Sequence, residues 1–267
     1  MDAGQRKEQR RDSIMTTVAG RTIIVTGASA GLGAHFARLY AAAGARVVLA
    51  ARRVDRVEAL AASIEGEGGE ALPVAMDVGD ADSVAAAFDA AEARFGLVDT
   101  IVANAGVSMV GRSTDLSADA IRQVLDTNIA GVYLTVREGA RRLIASGSRE
   151  SGAGRVIIIG SITSHMTAVG DAAYAASKAA VAHLGRNFAR EWVRQGINVN
   201  VIQPGYIQSE LAGDLYQTEA GAQKIAAFHR RRLQPVTSLD PFMLLFASDA
   251  SACVTGAVID VDDGQSL

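Results

Sequence analysis

Three side chains in this sequence have the types and spacing of a proton-donating site: Ser161, Tyr174 and Lys178. Tyr174 and Lys178 stand four residues apart at the start of a small-residue helical stretch, so they share one helix face. An ammonium beside a phenol favours the phenolate and lowers a pKa that starts near about 10. Ser161, thirteen residues before Tyr174 and at the end of an apolar strand-like run, brings a hydroxyl that can hold a substrate oxygen beside that phenol. The three describe a proton donor for a carbonyl group. A single Tyr-x-x-x-Lys pair arises readily by chance on a solvated helix, but composition argues for chemistry here. The chain has 23 Arg and only three Lys, namely Lys7, Lys178 and Lys224. A merely structural charge in so arginine-rich a chain would be Arg, whereas lysine is the cation whose pKa shifts on burial.

A cofactor site to serve that donor is legible near the start of the chain. Thr22–Val25 is a β-branched apolar run of the kind found in a buried parallel strand. It leads directly into Thr26-Gly27-Ala28-Ser29-Ala30-Gly31-Leu32-Gly33 and then an alanine-rich helical pattern to about Ala43. Strand, glycine turn and helix together present backbone N–H groups and a helix N-terminus to a pyrophosphate. Gly27, Gly31 and Gly33 permit the tight turn, the close approach of phosphate and close helix–strand packing. Ser29, Ala30 and Leu32 complete the turn as candidate cofactor contacts.

The next strand-like run, Arg46–Ala50, ends at Ala51-Arg52-Arg53. An NAD site wants a carboxylate here for the ribose 2′-hydroxyl, while arginine suits the 2′-phosphate of NADP. Ala51 stands at the acidic position and no Asp or Glu follows until Asp55. Arg52, with Arg53 beside it, points to NADP(H), with NAD(H) as the weaker alternative.

Further strand-like runs at Ala71–Ala75, Val98–Val102, Arg155–Gly160, Asn198–Ile202 and Val258–Val261 alternate with helical patterns. That alternation predicts an α/β doubly wound parallel sheet. The 267 residues, 49% hydrophobic, suffice for one large domain over 19–267. Residues 1–18 are charged, polar and mixed in sign, and read as a disordered extension, with Met15 an alternative start.

These motifs, in this order, resemble the short-chain dehydrogenase/reductase family in its compact single-domain branch, from Thr22 to the C-terminus. The resemblance implies a Rossmann-type sheet of seven strands in the order 3-2-1-4-5-6-7, with helices on both faces. It makes Asn104-Ala105-Gly106 the strand-end element that lines the cofactor, and Asp77-Val78 the segment at the adenine. Asn128 would complete a catalytic tetrad with Ser161, Tyr174 and Lys178, holding a water that links Lys178 to solvent. Tyr174 and Lys178 also contact the cofactor, Lys178 through the nicotinamide ribose. Pro204, Gly205, Ile207 and Ser209 would close over the nicotinamide, and Thr255-Gly256 and Val261–Gly264 match the last-strand signature, with Asp263 where glycine is commoner.

The resemblance further implies NADP(H)-dependent interconversion of a ketone and a secondary alcohol, with Tyr174 as acid and base. Substrate would meet Ser108, Met109, Thr163, His165, Met166, Val169, Tyr206, Leu211 and Leu215. That set is mostly apolar, with no fixed charge to bind a carboxylate, and implies a medium-sized hydrophobic carbonyl compound. The alternatives are a 3-oxoacyl thioester on a carrier protein or coenzyme A, met by Arg230–Arg232, and a non-catalytic dinucleotide-binding sensor or scaffold. An elimination or epimerisation using the same Tyr–Lys pair also stays open.

Other features suggest little chemistry. Cys253 is the sole cysteine, read as a small residue packed near the last strand. The four histidines have no metal-ligand spacing, so no metal is expected. A net charge of −3 gives no case for nucleic acid, and no apolar segment is long enough for a membrane span. Without a signal-peptide pattern, the expected location is cytoplasmic. Alanine-rich faces over Ala172–Ala180, continued by Leu184, Phe188 and Trp192, suit close helix pairing in a homodimer or homotetramer.

Overall fold

The computed structural model describes residues 17–208 and 215–267. Thr22–Thr26 forms β1 with every side chain buried, as a β-branched run in the middle of a parallel sheet must be. It passes through the glycine turn into α1, Gly31–Ala42. The strand–helix alternation then continues through β2 (Arg46–Ala51), α2 (Val54–Gly66), β3 (Glu70–Ala75), α3 (Ala81–Phe95) and β4 (Thr100–Ala103). After β4, helix α4 (Ala118–Leu125) runs through a π turn at Asp126–Ala130 into α5 (Gly131–Ala145). A short α6 (Ser148–Ser151), β5 (Gly154–Ile159), α7 (Ala172–Trp192) and β6 (Ile197–Pro204) follow. Helices α8 (Glu219–Ala227) and α9 (Asp240–Ala247) precede β7 (Val258–Val261).

The sheet has seven strands in the order β3-β2-β1-β4-β5-β6-β7, and every pairing is parallel. Successive strand side chains point to opposite faces, and this divides the core in two. Ile23, Val25, Val47, Leu49, Ile157 and Ile202 pack on one face against Phe36 and Tyr40 of α1, Val57 and Ile64 of α2, and Met243 of α9. Ile24, Val48, Ile101, Val156, Ile158 and Val201 pack on the other against Phe88 of α3, Val136 of α5, and Val181 of α7. Both faces covered by helices is the doubly wound Rossmann arrangement, and it leaves a crevice at the strand C-termini where the order reverses between β1 and β4.

Several expectations shift. β4 begins two residues later than Val98, and β5 ends one residue before Gly160. Phe188 and Trp192 lie inside the core, their rings stacked at 4.6 Å with Tyr133 edge-on to Phe188 at 5.2 Å. They pack within the chain and are not free for a partner. Cys253 is exposed, because it follows the last helical turn at Asp249–Ser251 and precedes β7. Residues 1–16 of the expected N-terminal extension lie outside the described residues, while Val18 is fully buried in the core.

Candidate active site

The glycine turn closes the N-terminal side of a cavity of about 580 Å³. Gly27 (φ +68°) and Gly31 (φ +53°) adopt left-handed backbone, which costs an L side chain roughly 1–2 kcal/mol. Gly33 is required for another reason: a Cβ there would lie 2.3 Å from the Gly27 carbonyl oxygen and 2.7 Å from Asn104 Nδ2. Helix α1 starts at Ala30 with no side-chain cap and no acidic residue in its first turn. Its leading N–H groups, which a helix cannot satisfy internally, therefore face the cavity with Ser29, Ala30, Gly31, Leu32 and Gly33. This is a cradle for an anion.

Asn104 ties the turn to the sheet. Its Nδ2 donates to the Thr26 carbonyl at 2.8 Å, and the Asn104 and Ala105 N–H groups both donate to Thr26 Oγ1 at 3.0 Å. Asn104, Ala105 and Gly106 all line the cavity, as do Asp77 and Val78. Asp77 forms its own turn, accepting from the Gly79 N–H at 3.0 Å. At the end of β2, Ala51 is buried while Arg52 and Arg53 are exposed, and all three face the cavity. Arg53 donates to Ser29 Oγ at 2.9 and 3.1 Å, so it braces the glycine turn. Arg52 makes no hydrogen bond or ion pair among the described residues.

The opposite wall carries the donor group. Ser161 stands just past the end of β5, and its Oγ accepts from the Thr163 N–H at 3.2 Å and the Thr163 hydroxyl at 3.0 Å. The neighbouring Ser161 hydroxyl favours the Tyr174 phenolate. Desolvation nevertheless dominates: burial holds the Tyr174 phenol well above its ordinary value. The expected lowering by Lys178 is therefore not a property of the protein alone. Lys178 itself is pulled down to about 8 by burial, donates from Nζ to the Ile159 carbonyl at 2.9 Å, and lies 5.5 Å from the centre of the Tyr174 ring.

Asn128 sits in the π turn, fully buried, as single π turns often are at functional sites. Its Oδ1 accepts from the Val107 N–H at 2.8 Å, and its Nδ2 donates to the Val107 carbonyl at 2.9 Å and to Ser177 Oγ at 3.0 Å. It locks the loop after β4 onto α7 beside Lys178. Pro204, Gly205 and Ile207 line the cavity at the end of β6, and Ser209 lies outside the described residues. Gly205 is packed so closely that a Cβ would meet Gln265 Oε1 at 2.4 Å. Gln234 and Gln265, which the sequence reading passed over, hold this corner: Gln234 Oε1 accepts from the Gly205 N–H at 3.2 Å and Gln265 Oε1 from the Tyr206 N–H at 2.6 Å.

Of the expected substrate contacts, Ser108, Thr163, Val169 and Tyr206 line the cavity. Met109 and Met166 are half-buried and do not. His165 is turned outward onto Asp260 at 2.9 Å. Leu211, and the side chain of Leu215, lie outside what is described. The structure adds Asp171, Tyr216 and Lys224, which also line the cavity and correct the expectation of a wall without fixed charge. The signal of Lys224 was hidden because α8 approaches from a segment remote in sequence. Arg230 and Arg232 both pair with Asp263, at 3.1 and 2.8 Å, and are not among the residues that line the cavity. Asp263 adopts φ +57°, the conformation that favours glycine at that position. Among the described residues no cluster could hold a metal ion and no helix is long and apolar enough to cross a membrane.

The comparisons agree with this geometry. The chain is 36% identical over 253 residues to cis-4-hydroxycyclohexanecarboxylate dehydrogenase of Sinomonas cyclohexanicum, covering 93% of this chain and 97% of that one. It is 32% identical over 248 residues to D-threitol dehydrogenase of Mycolicibacterium smegmatis, covering 93% and 94%. The solved gluconate 5-dehydrogenase of Burkholderia cenocepacia, in complex with NADP and tartrate, superposes with a TM-score of 0.88 at 32% identity, over 94% of this chain and 97% of that one. Residues 21–220 match the family model described as short chain dehydrogenase. A parallel sheet in this order, a glycine cradle at its switch point and a Ser–Tyr–Lys wall facing that cradle thus have one source: the chain belongs to the short-chain dehydrogenase family and is an oxidoreductase of that class.

Proposed function

We propose that the protein transfers hydride reversibly between NADP(H) and a medium-sized ketone or secondary alcohol, with Tyr174 as the acid and base. The observation that carries this reading is one cavity with the glycine cradle on one wall and Ser161, Tyr174 and Lys178 on the other. The residues present fit a dinucleotide. Uncapped N–H groups and close-packed Gly27 and Gly33 suit its pyrophosphate, and Arg52 without a neighbouring carboxylate suits a 2′-phosphate. NAD(H) is the weaker alternative. Asn104, Gly106, Lys178, Pro204, Gly205 and Ile207 would hold the nicotinamide half.

The cofactor supplies or takes the hydride; the protein manages the proton. Ser161, fixed by Thr163, and Tyr174 would hold the carbonyl oxygen. The raised Tyr174 phenol keeps its proton at neutral pH, ready to give it to that oxygen as charge develops. In alcohol oxidation the phenolate is needed, and the cations near it, Lys178 among them, stabilise it. Asn128 acts as a positioning residue by fixing the Val107 loop against α7. The walls at Val107, Val110, Ala168 and Val169 favour a medium-sized carbonyl compound with an apolar body. The basic run of the 3-oxoacyl thioester alternative lies outside the cavity lining, where Arg230 and Arg232 pair with Asp263.

The test is NADPH consumption across a panel of ketones, oxo acids and oxoacyl thioesters, with Tyr174→Phe as control. Turnover by the wild type and not by the variant is expected. NADPH binding with no turnover across the panel would favour the sensor or scaffold reading instead.

A further inference from the structure

Lys224 is the cation that the proposed reaction does not use. It stands on α8, a helix fixed at its start by Thr218, whose hydroxyl accepts from the Gly221 N–H at 3.1 Å. Its ammonium lies 3.9 Å above the centre of the Tyr206 ring. Tyr206 is in turn stacked on Phe228 at 5.3 Å and held through its backbone N–H by Gln265, so the platform is braced from two sides. The residue four before Lys224 is Ala220 and the residue four after is Phe228, so α8 offers it no intrahelical ion pair. Among the described residues no carboxylate lies within ion-pair distance of it.

An aromatic face engages one side of an ammonium, and the remaining N–H donors of Lys224 stay available. Tyr216, on the same wall, adds a phenolic O–H; burial pushes that phenol up to about 12, so it remains a donor throughout the neutral range. Asp171, at the N-terminal end of α7, makes no cap bond with its side chain and also lines the cavity. It feels Lys224 through space, while burial raises its pKa, which weakens its claim on that ammonium. A cation held on an aromatic face plus a hydroxyl donor on the same cavity wall is an anchor for one small anion.

Resting on the reductase reading above, we infer that Lys224, with Tyr216, binds a carboxylate on the substrate, so the substrate class is an oxo acid and its hydroxy acid. The carboxylate sits on Lys224 while the carbonyl oxygen sits between Ser161 and Tyr174. Arg52 and Arg53 belong to the glycine-turn end of the cavity, so the two anion-binding regions do not compete. One ammonium and one phenol suit a carboxylate better than a phosphate ester, which arginine forks would clasp more fully.

The experiment is steady-state kinetics with NADPH on levulinate and cyclohexanonecarboxylate, each beside its methyl ester. The wild type is expected to prefer each acid over its ester by at least about tenfold in kcat/KM, chiefly through KM. Lys224→Met is expected to lower that acid-to-ester ratio by about tenfold or more, Lys224→Arg to restore part of it, and Tyr216→Phe to lower it less. Ester turnover without acid preference, or a ratio unmoved by Lys224→Met, overturns the carboxylate anchor and leaves the reductase intact. Failure of all four compounds, with turnover of other ketones in the wider panel, overturns the carboxylate anchor and leaves the reductase intact.

Discussion

Lys178 is costly to the folded chain, and that cost is measurable apart from activity. Burial lowers it from 10.5 to about 8, so between those values the unfolded chain holds a proton that the folded chain has released. Stability at this site therefore rises with pH through that window, and the whole penalty is present below about pH 8. Lys178→Met should stabilise the cofactor-free protein at pH 7 by about 1–3 kcal/mol and flatten its stability slope from pH 8 to 10, while abolishing turnover. Urea titrations at several pH values check this; a variant less stable than wild type at pH 7 would contradict the burial argument. At the other end of the cavity, Arg52→Asp should lower the NADPH-to-NADH ratio of kcat/KM by at least about tenfold. An unchanged ratio would mean that Arg52 does not read the 2′-phosphate. Spacing placed Tyr174 and Lys178 on one helix face, because i to i+4 geometry is local. Whether burial or the neighbouring cation rules the phenol was not legible, since desolvation depends on everything packed around it.

Among the elements, the glycine turn makes the sharpest test, because Gly31 and Gly33 are needed for different reasons. Gly33→Ala must push Gly27 or Asn104 aside, so both NADPH affinity and melting temperature should fall. Gly31→Ala meets nothing within 4 Å and carries mainly the left-handed backbone cost, about 1–2 kcal/mol. Fluorescence titration with NADPH and thermal melts separate the two; equal losses would mean that the close packing at Gly33 is not decisive. Strands β1 and β2 could be read from sequence because buried parallel strands are continuous apolar runs bounded by breakers. The π turn at Asn128 could not be, since one extra residue in a helix leaves no mark on hydrophobic periodicity. His165 and Cys253 were misplaced for a related reason: loop side chains take their direction from tertiary contacts such as Asp260. Gln234, Gln265 and Lys224 act on the Pro204 corner from segments far along the chain, which no local motif can reveal.

For the molecule as a whole, the N-terminal boundary has a definite expected place. Removing residues 1–16 should leave melting temperature and turnover nearly unchanged. Extending the deletion through Val18 removes a fully buried side chain and should cost about 1–3 kcal/mol; loss on the first cut would place structure upstream. A dimer or tetramer is the proposed assembly, with Tyr133 and Ile144 of α5 among the exposed apolar residues, and light scattering during size-exclusion chromatography reads it directly. The scarcity of lysine has a practical side. A chain with 23 Arg and three Lys gives an amine-reactive reagent few targets, and two of them, Lys178 and Lys224, line the cavity. Coupling this protein to an activated-ester resin or dye would report on cavity access instead of decorating a surface at random, and bound coenzyme should protect Lys178 from acylation. Immobilisation through the lone exposed thiol, Cys253, would leave those amines untouched.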